Sequence, residues 1–205
     1  MRRIHALALV PLVALAACSS PAAPATSAAP ATSAPASSAP ATSPSASSSP
    51  SADKPANTGA TLKGQGYTLT MPEGWVDATE AFKKLQPTVD TGGKDSDDTK
   101  DGFNDNVNVI TQSSAELPLA QLADAIKTQL QKAGSTDIEF KDNVQLQGRV
   151  ALQVWSTTRG TNGAHTIQFM TFNDSKIFVI TVSTNLGLAK ADVLAQQILS
   201  GWQWA

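Results

Sequence analysis

The sequence predicts an α+β domain in which an antiparallel β-sheet is flanked by helices, an α/β/α sandwich. Three observations predict it. Residues 177–182 (Ile-Phe-Val-Ile-Thr-Val) are apolar at odd and even positions alike, as a central strand covered on both sides must be. Two segments, 117–133 and 188–199, carry apolar residues three and four apart, the spacing of helices that lie on a sheet. Between them, residues 138–172 alternate apolar and polar positions and are broken by short polar turns, the pattern of an antiparallel meander.

Three regions follow along the chain. Residues 1–17 form a lipoprotein signal peptide: Arg2 and Arg3 give a basic start, and the apolar run from 6 to 17 is too short to span a bilayer. The run closes on Leu15-Ala16-Ala17-Cys18, which resembles the lipobox of bacterial lipoproteins. That resemblance implies cleavage before Cys18, which then carries the lipid. Each buried CH₂ of an acyl chain contributes about 0.8 kcal/mol, so two or three chains hold a protein on a membrane nearly permanently. The expected location is the extracytoplasmic face of the cell membrane. Cys18 is also the single cysteine, so the fold has no internal disulfide and stands on its own core.

Residues 18–64 comprise the lipidated Cys18 and a disordered tether. The tether is built from Pro, Ala, Ser and Thr, with Pro-Ala-Thr-Ser recurring at 24, 30 and 40, and it has no aromatic residue. Such a composition buries too little apolar surface to offset chain entropy. Its reach lies between about 40 Å as a coil and about 140 Å as a stiff rod. The composition permits O-glycosylation; a plain spacer is the simpler reading.

Residues 65–205 are the globular domain. Residues 66–71 alternate and stop at Pro72-Glu73-Gly74, a strand and a turn. Trp75 follows and is expected to close one end of the core. Residues 78–85 suit a short helix that ends before Pro87. Residues 90–106 then read as an acidic loop carrying Asp90, Asp95, Asp97, Asp98, Asp101 and Asp105. Asp97, Thr99, Asp101 and Gly102 match the start of a calcium-binding EF-hand loop. The twelfth position, however, is Asn108 where a bidentate Glu is required, so a solvated loop and candidate contact surface is the better reading.

Residues 106–112 form a strand. Ser113 or Ser114 can cap the next helix, which starts at Leu117 or Pro118 and buries Leu119, Leu122, Ala123, Ile126 and Leu130. Gly134 sits where a left-handed residue ends it. Short strands at 138–141 and 144–146 precede the turn at Gly148 and a strand over 149–158. A hairpin loop (159–163), a return strand (165–172) and a turn (173–175) lead into the central strand. The last helix, 188–199, presents Leu188, Val193, Leu194 and Ile198 and ends at Gly201, before Trp202-Gln203-Trp204.

The lipobox, the Pro/Ser/Thr tether, Met71-Pro72-Glu73-Gly74-Trp75, the central helix, the meander and the last helix together resemble the LpqN/LpqT-type lipoproteins of actinobacteria, in that order along the whole chain. The resemblance implies a PsbP-like domain and no catalytic residues.

The residue inventory excludes much chemistry. Loss of Arg2 and Arg3 with the signal lowers the basic count from 15 to 13 against 17 acidic residues, a net charge of −4. With no basic patch, nucleic acid is not an expected partner. Once His5 leaves with the signal, His165 is the only histidine, and one His with an acylated Cys builds neither a Cys-His site nor a multi-His metal site. No Gly-x-Ser-x-Gly and no phosphate-binding loop is present. The expectation is no enzyme, no cofactor and no metal. Trp75, Trp155, Trp202 and Trp204 are the candidate ligand or partner contacts, weighed against packing in the core. The function expected is a membrane-anchored envelope lipoprotein whose domain binds partner proteins as an accessory factor. The alternative is a carrier for an apolar or glycolipid ligand.

Overall fold

A computed structural model describes residues 57–97, 103–157 and 164–205. The signal peptide, Cys18, most of the tether, Thr99, Asp101, Gly102 and the loop at 159–163 lie outside the described residues. The order of elements is β1 (Thr61–Gly64), β2 (Tyr67–Thr70), β3 (Trp75–Asp77), α1 (Thr79–Leu85), β4 (Val89–Asp95), β5 (Asn106–Ser113), α2 (Leu119–Lys132), β6 (Thr136–Leu146), β7 (Arg149–Thr157), β8 (His165–Asn173), β9 (Lys176–Thr184), α3 (Leu188–Ser200) and β10 (Trp202–Trp204).

The strands form a seven-stranded sheet, β3-β4-β5-β9-β8-β7-β6, and a three-stranded sheet, β1-β2-β10. Every pairing is antiparallel. The α+β class with helices flanking an antiparallel sheet is what the chain adopts. The doubly apolar strand β9 takes the middle of the large sheet, between β5 and β8. Alternate residues divide between its faces. Phe178, Ile180 and Val182 join the core under α3 and the small sheet, while Ile177 and Val179 join the core under α1 and α2. β8 does the same with Ile167 and Phe169 against Met170 and Phe172.

Helix α2 buries Leu122, Ile126 and Leu130, as its period predicts, and Gly134 at its end has φ +79°. Each fully buried Leu or Ile contributes about 1.5–3 kcal/mol. Helix α3 packs differently from the expected stripe. Leu188 and Val193 are 59% and 63% exposed, and Ala191, Ala195, Ile198 and Leu199 face the core instead. The two alanines let the helix axis approach the sheet more closely than leucines would.

Other expectations need correction. Residues 61–64 are not tether: they form β1, with Leu62 1% exposed in the core. Residues 90–95 are not loop, because they pair with β5 as β4. Neither Ser113 nor Ser114 caps α2. Ser113 ends β5, the helix follows Pro118, and no side chain caps it. The two short strands at 138–146 are one strand, β6, with an irregularity between Lys141 and Val144.

Strand β4 explains why sequence periodicity missed it. Its sequence, Val-Asp-Thr-Gly-Gly-Lys-Asp, has only Val89 and Thr91 to favour a strand, against two glycines, two aspartates and a lysine that do not. Yet Gly92 and Gly93 are needed there. A Cβ on Gly92 would meet the Phe82 ring from one face, and a Cβ on Gly93 would meet the Met71 sulfur from the other. Packing from both sides, not local propensity, makes this segment a strand.

Candidate functional site

Three of the four tryptophans singled out by sequence are core residues. Trp75, Trp155 and Trp202 are 4%, 8% and 0% exposed, and all belong to the cluster under α3 and the small sheet. Trp202 stacks on Tyr67 with centroids 4.1 Å apart and planes 6° from parallel. Phe178 meets both rings edge-on. Trp204, two residues on in β10, shares the Trp202 face at 5.1 Å and is half-buried, with its Nε1 donating to the Leu146 carbonyl at 3.3 Å. These rings fill the interior; they do not line a groove.

A cleft of about 720 Å³ opens elsewhere, where the edge strand β1 comes beside α1 and β4. Thr61 and Lys63 form one wall, α1 with Thr79, Glu80 and Lys83 forms the other, and Asp90 and Thr91 lie between. Local chemistry positions each group. The backbone N–H of Thr79 donates to Asp77 Oδ1 at 2.8 Å, which sets the start of α1. The Thr79 hydroxyl accepts from the Gly92 N–H at 3.0 Å, fastening the helix to β4. Asp90 Oδ2 accepts from the backbone N–H of Gln65 at 2.8 Å and the Thr111 hydroxyl at 3.2 Å. That carboxylate therefore joins the β1–β2 turn to the large sheet. Beneath, the Tyr67 and Thr91 hydroxyls share a hydrogen bond of 2.7 Å. Burial pushes the Tyr67 hydroxyl well above the ordinary tyrosine pKa; the bond to Thr91 opposes the shift and the charge of Asp90 adds to it. Tyr67 is thus a fixed neutral hydroxyl, not a titrating acid.

The cleft mixes hydroxyls, carboxylates and ammonium groups on both walls. Glu80 and Lys83 sit 3.9 Å apart with side chains 84% and 42% exposed, a pair worth little in water. His165 lies away from it, at the start of β8 opposite Thr157 and Thr184. Among the described residues no group of three or more His, Cys, Asp or Glu is placed to hold a metal. Asn108, the twelfth position of the calcium-loop pattern, is a buried residue of β5 opposite Gly92 and Thr181. No described helix is long and apolar enough to cross a membrane. Sequence reasoning missed the cleft because its walls come from segments assigned to tether, helix and loop. Only the adjacency of β1 and β4 makes it one place.

No protein-family model matches the chain, and no curated protein matches it in sequence. Among solved structures it is similar to the cyanobacterial PsbP protein of Synechocystis, at 19% identity and a TM-score of 0.46, over 68% of this chain and 87% of that one. It is similar to the Ran-binding protein Mog1p of Saccharomyces cerevisiae at 13% identity and a TM-score of 0.48, over 68% and 90%. It is also similar to a Bacteroides thetaiotaomicron protein at 12% identity and a TM-score of 0.42, spanning 68% of this chain and 45% of that one. The assignment to the α+β class rests on the sheet topology and packing described above.

Proposed function

We propose that the protein is a membrane-anchored cell-envelope lipoprotein of the LpqN/LpqT type, held by lipid on Cys18, whose PsbP-like domain binds an envelope partner protein and performs no catalysis. The observation that carries the anchor is Leu15-Ala16-Ala17-Cys18 at the end of a short apolar run with a basic start. The partner reading is supported by the open cleft beside β1. Among the described residues that strand pairs on one side only, with β2, which suits the addition of an extended segment of another protein along its outer edge. Lys63 and Lys83 stand near Asp77, Glu80 and Asp90, which suits a polar segment carrying both signs of charge.

Two experiments test this. Cys18→Ala in the full chain moves the protein from the membrane fraction to the soluble fraction; unchanged membrane retention overturns the anchor. A photo-reactive residue at position 61 or 83 yields a discrete adduct in intact cells, while one at exposed Val193 on α3 yields none. Absence of any adduct from 61 and 83, or equal labelling from all three positions, overturns the cleft as the docking surface.

A further inference from the structure

Strand β1 turns half of its main chain toward the cleft. The Met71 N–H donates to the Ala60 carbonyl, whereas the Thr70 N–H donates the other way, to the Gly201 carbonyl before β10. Successive residues of a strand alternate in this manner. The register Leu62↔Leu69 and Gly64↔Tyr67 therefore puts the bonds to β2 at Leu62 and Gly64. The N–H and C=O groups of Thr61 and Lys63 point away from β2, and both residues line the cleft. The next member of that row is Gln65, whose N–H crosses to β4 and meets Asp90 Oδ2 at 2.8 Å. The chain thus supplies its own acceptor at Gln65. At Thr61 and Lys63 no acceptor for the N–H stands among the described residues.

The size of the cleft limits what can supply those acceptors. Its volume of about 720 Å³ is that of a small-ligand pocket, and β1 offers four residues, about 13 Å of strand. A folded partner that paired its sheet edge with β1 would bring a second strand about 4.8 Å beyond the first. Helix α1 stands there, with Thr79, Glu80 and Lys83 as the opposite wall. A lone strand carries no such neighbour. The apolar members of the described lining are Ala78 and Ala81, so no surface receives the large apolar anchor that most protein grooves take. Charge of both signs is open to a ligand. Lys63 on β1 has no ion-pair partner among the described residues, and Glu80 opposite has only the exposed Lys83 at 3.9 Å.

We infer that the cleft takes a lone extended segment from a flexible tail or linker of the partner, with small hydroxylated residues at alternate positions and charges of both signs between them. This names the chemistry of the partner proposed above and rests on that reading. The segment lies along β1 and does there what Asp90 does for Gln65: its carbonyls accept from the Thr61 and Lys63 N–H groups, and its own N–H groups donate to their carbonyls. Side chains alternate across a strand. One set faces Asp90 and Thr91 between the walls, a polar floor that favours Ser or Thr over Leu or Phe. The other set stands at the rim, a carboxylate against Lys63 and an ammonium against Glu80.

The test titrates the full chain in detergent micelles against fluorescent heptapeptides. The probe is Ser-Glu-Ser-Lys-Ser-Gln-Ser, and its counterpart is Leu-Glu-Leu-Lys-Leu-Gln-Leu. The serine peptide is expected to bind at least tenfold more tightly. Ala81→Leu, at an exposed position of α1 that lines the cleft, weakens it at least tenfold, while Lys84→Leu, exposed on the same helix outside the lining, leaves it unchanged. Circular dichroism and the thermal midpoint check that both variants fold. Methylating alternate amides of the peptide abolishes binding in one phase and spares it in the other, because one set of N–H groups faces β1. Preference for the leucine peptide, equal losses in both methylation phases, binding that a folded Ala81→Leu leaves intact, or no binding of the serine peptide overturns the inference. Adducts from positions 61 and 83 in cells without serine-peptide binding keep the cleft as a docking surface and overturn the lone segment. Peptide binding without adducts overturns the envelope-partner reading instead.

Discussion

The two faces of the seven-stranded sheet are written by alternate residues of the same strands, yet they are built on opposite terms. On the face under α3 and the small sheet, Val107, Val109, Ile167, Phe169, Phe178, Ile180 and Val182 meet Tyr67, Leu69 and Trp202 with essentially no exposure. On the face under α1 and α2, the apolar rows stop at Ile110, Val179 and Met170, and polar residues take over. Burial is equal on both faces, and the first also holds two buried indole N–H groups without a hydrogen-bond partner, Trp155 Nε1 and Trp202 Nε1. The first face concentrates aromatic packing; the second gives up part of its length to buried polar side chains, among them Gln168, which donates to the Thr181 hydroxyl, and Asn106, which donates to the Asn104 carbonyl.

The comparison can be broken most directly at Trp202. Trp202→Ala removes the Tyr67 stack and the contacts with Phe178 and Trp204, and costs about 3–5 kcal/mol, read from urea unfolding. A loss below about 1 kcal/mol would mean that the α3 face is not the stability centre. Next comes strand β4, which both faces share. Gly93→Val sets a side chain against Met71 and costs about 1–3 kcal/mol by overpacking, and Met71→Ala in the same chain recovers part of it.

Tyr67→Phe follows, at about 1 kcal/mol for the lost bond to Thr91. Its pH signature sharpens the contrast. The folded-state pKa of Tyr67 is raised above the ordinary value of 10.0, so the folded protein keeps a proton that the unfolded chain releases. The resulting stability is complete below pH 10 and falls as pH rises beyond it. Tyr67 is the only tyrosine, so tyrosinate absorbance should rise together with unfolding and not before it. The smallest effect belongs to the polar rows. Ser183→Ala changes stability by no more than about 0.5 kcal/mol, because it removes one small oxygen from the row and leaves the backbone pairing with Asn106 and Thr166 in place.

The sequence made legible what periodicity controls. The doubly apolar run became the central strand, α2 followed its three- and four-residue spacing, and Gly74, Gly134 and Gly148 each took positive φ at a turn or helix end. What it hid were elements made by their neighbours. Thr61–Gly64 is a strand because β2 pairs with it, and Val89–Asp95 because Phe82 and Met71 press on its glycines. The tryptophans drew attention as rare residues, yet a large aromatic is as useful to a core as to a ligand. The polar rows carried a signal in plain view. Thr166 and Gln168, and likewise Thr181 and Ser183, are polar at alternate positions of strands whose residues between them are apolar. Reading strand pairing from one sequence was what failed, since only the register brings those four residues side by side.

The small sheet also has a mechanical meaning. A load drawn through Asn57 meets first its side-chain bonds to the Gln197 carbonyl and Ser200 on α3, then the bonds of Gly59 and Ala60 to Met71 and Trp75, and reaches β1 at its open end, opposite the tight turn that joins it to β2. Antiparallel strands pulled from that end peel like a zipper, one rung after another, and resist far less than strands sheared along their length. The C-terminal strand grips β2 on its other side, from Trp202 opposite Leu69 to Trp204 opposite Tyr67. Peeling β1 therefore extends the chain while β2 and β10 stay clasped. The first strand acts as a fuse: under tension it yields, unveiling Leu62, and spares the sheet behind it.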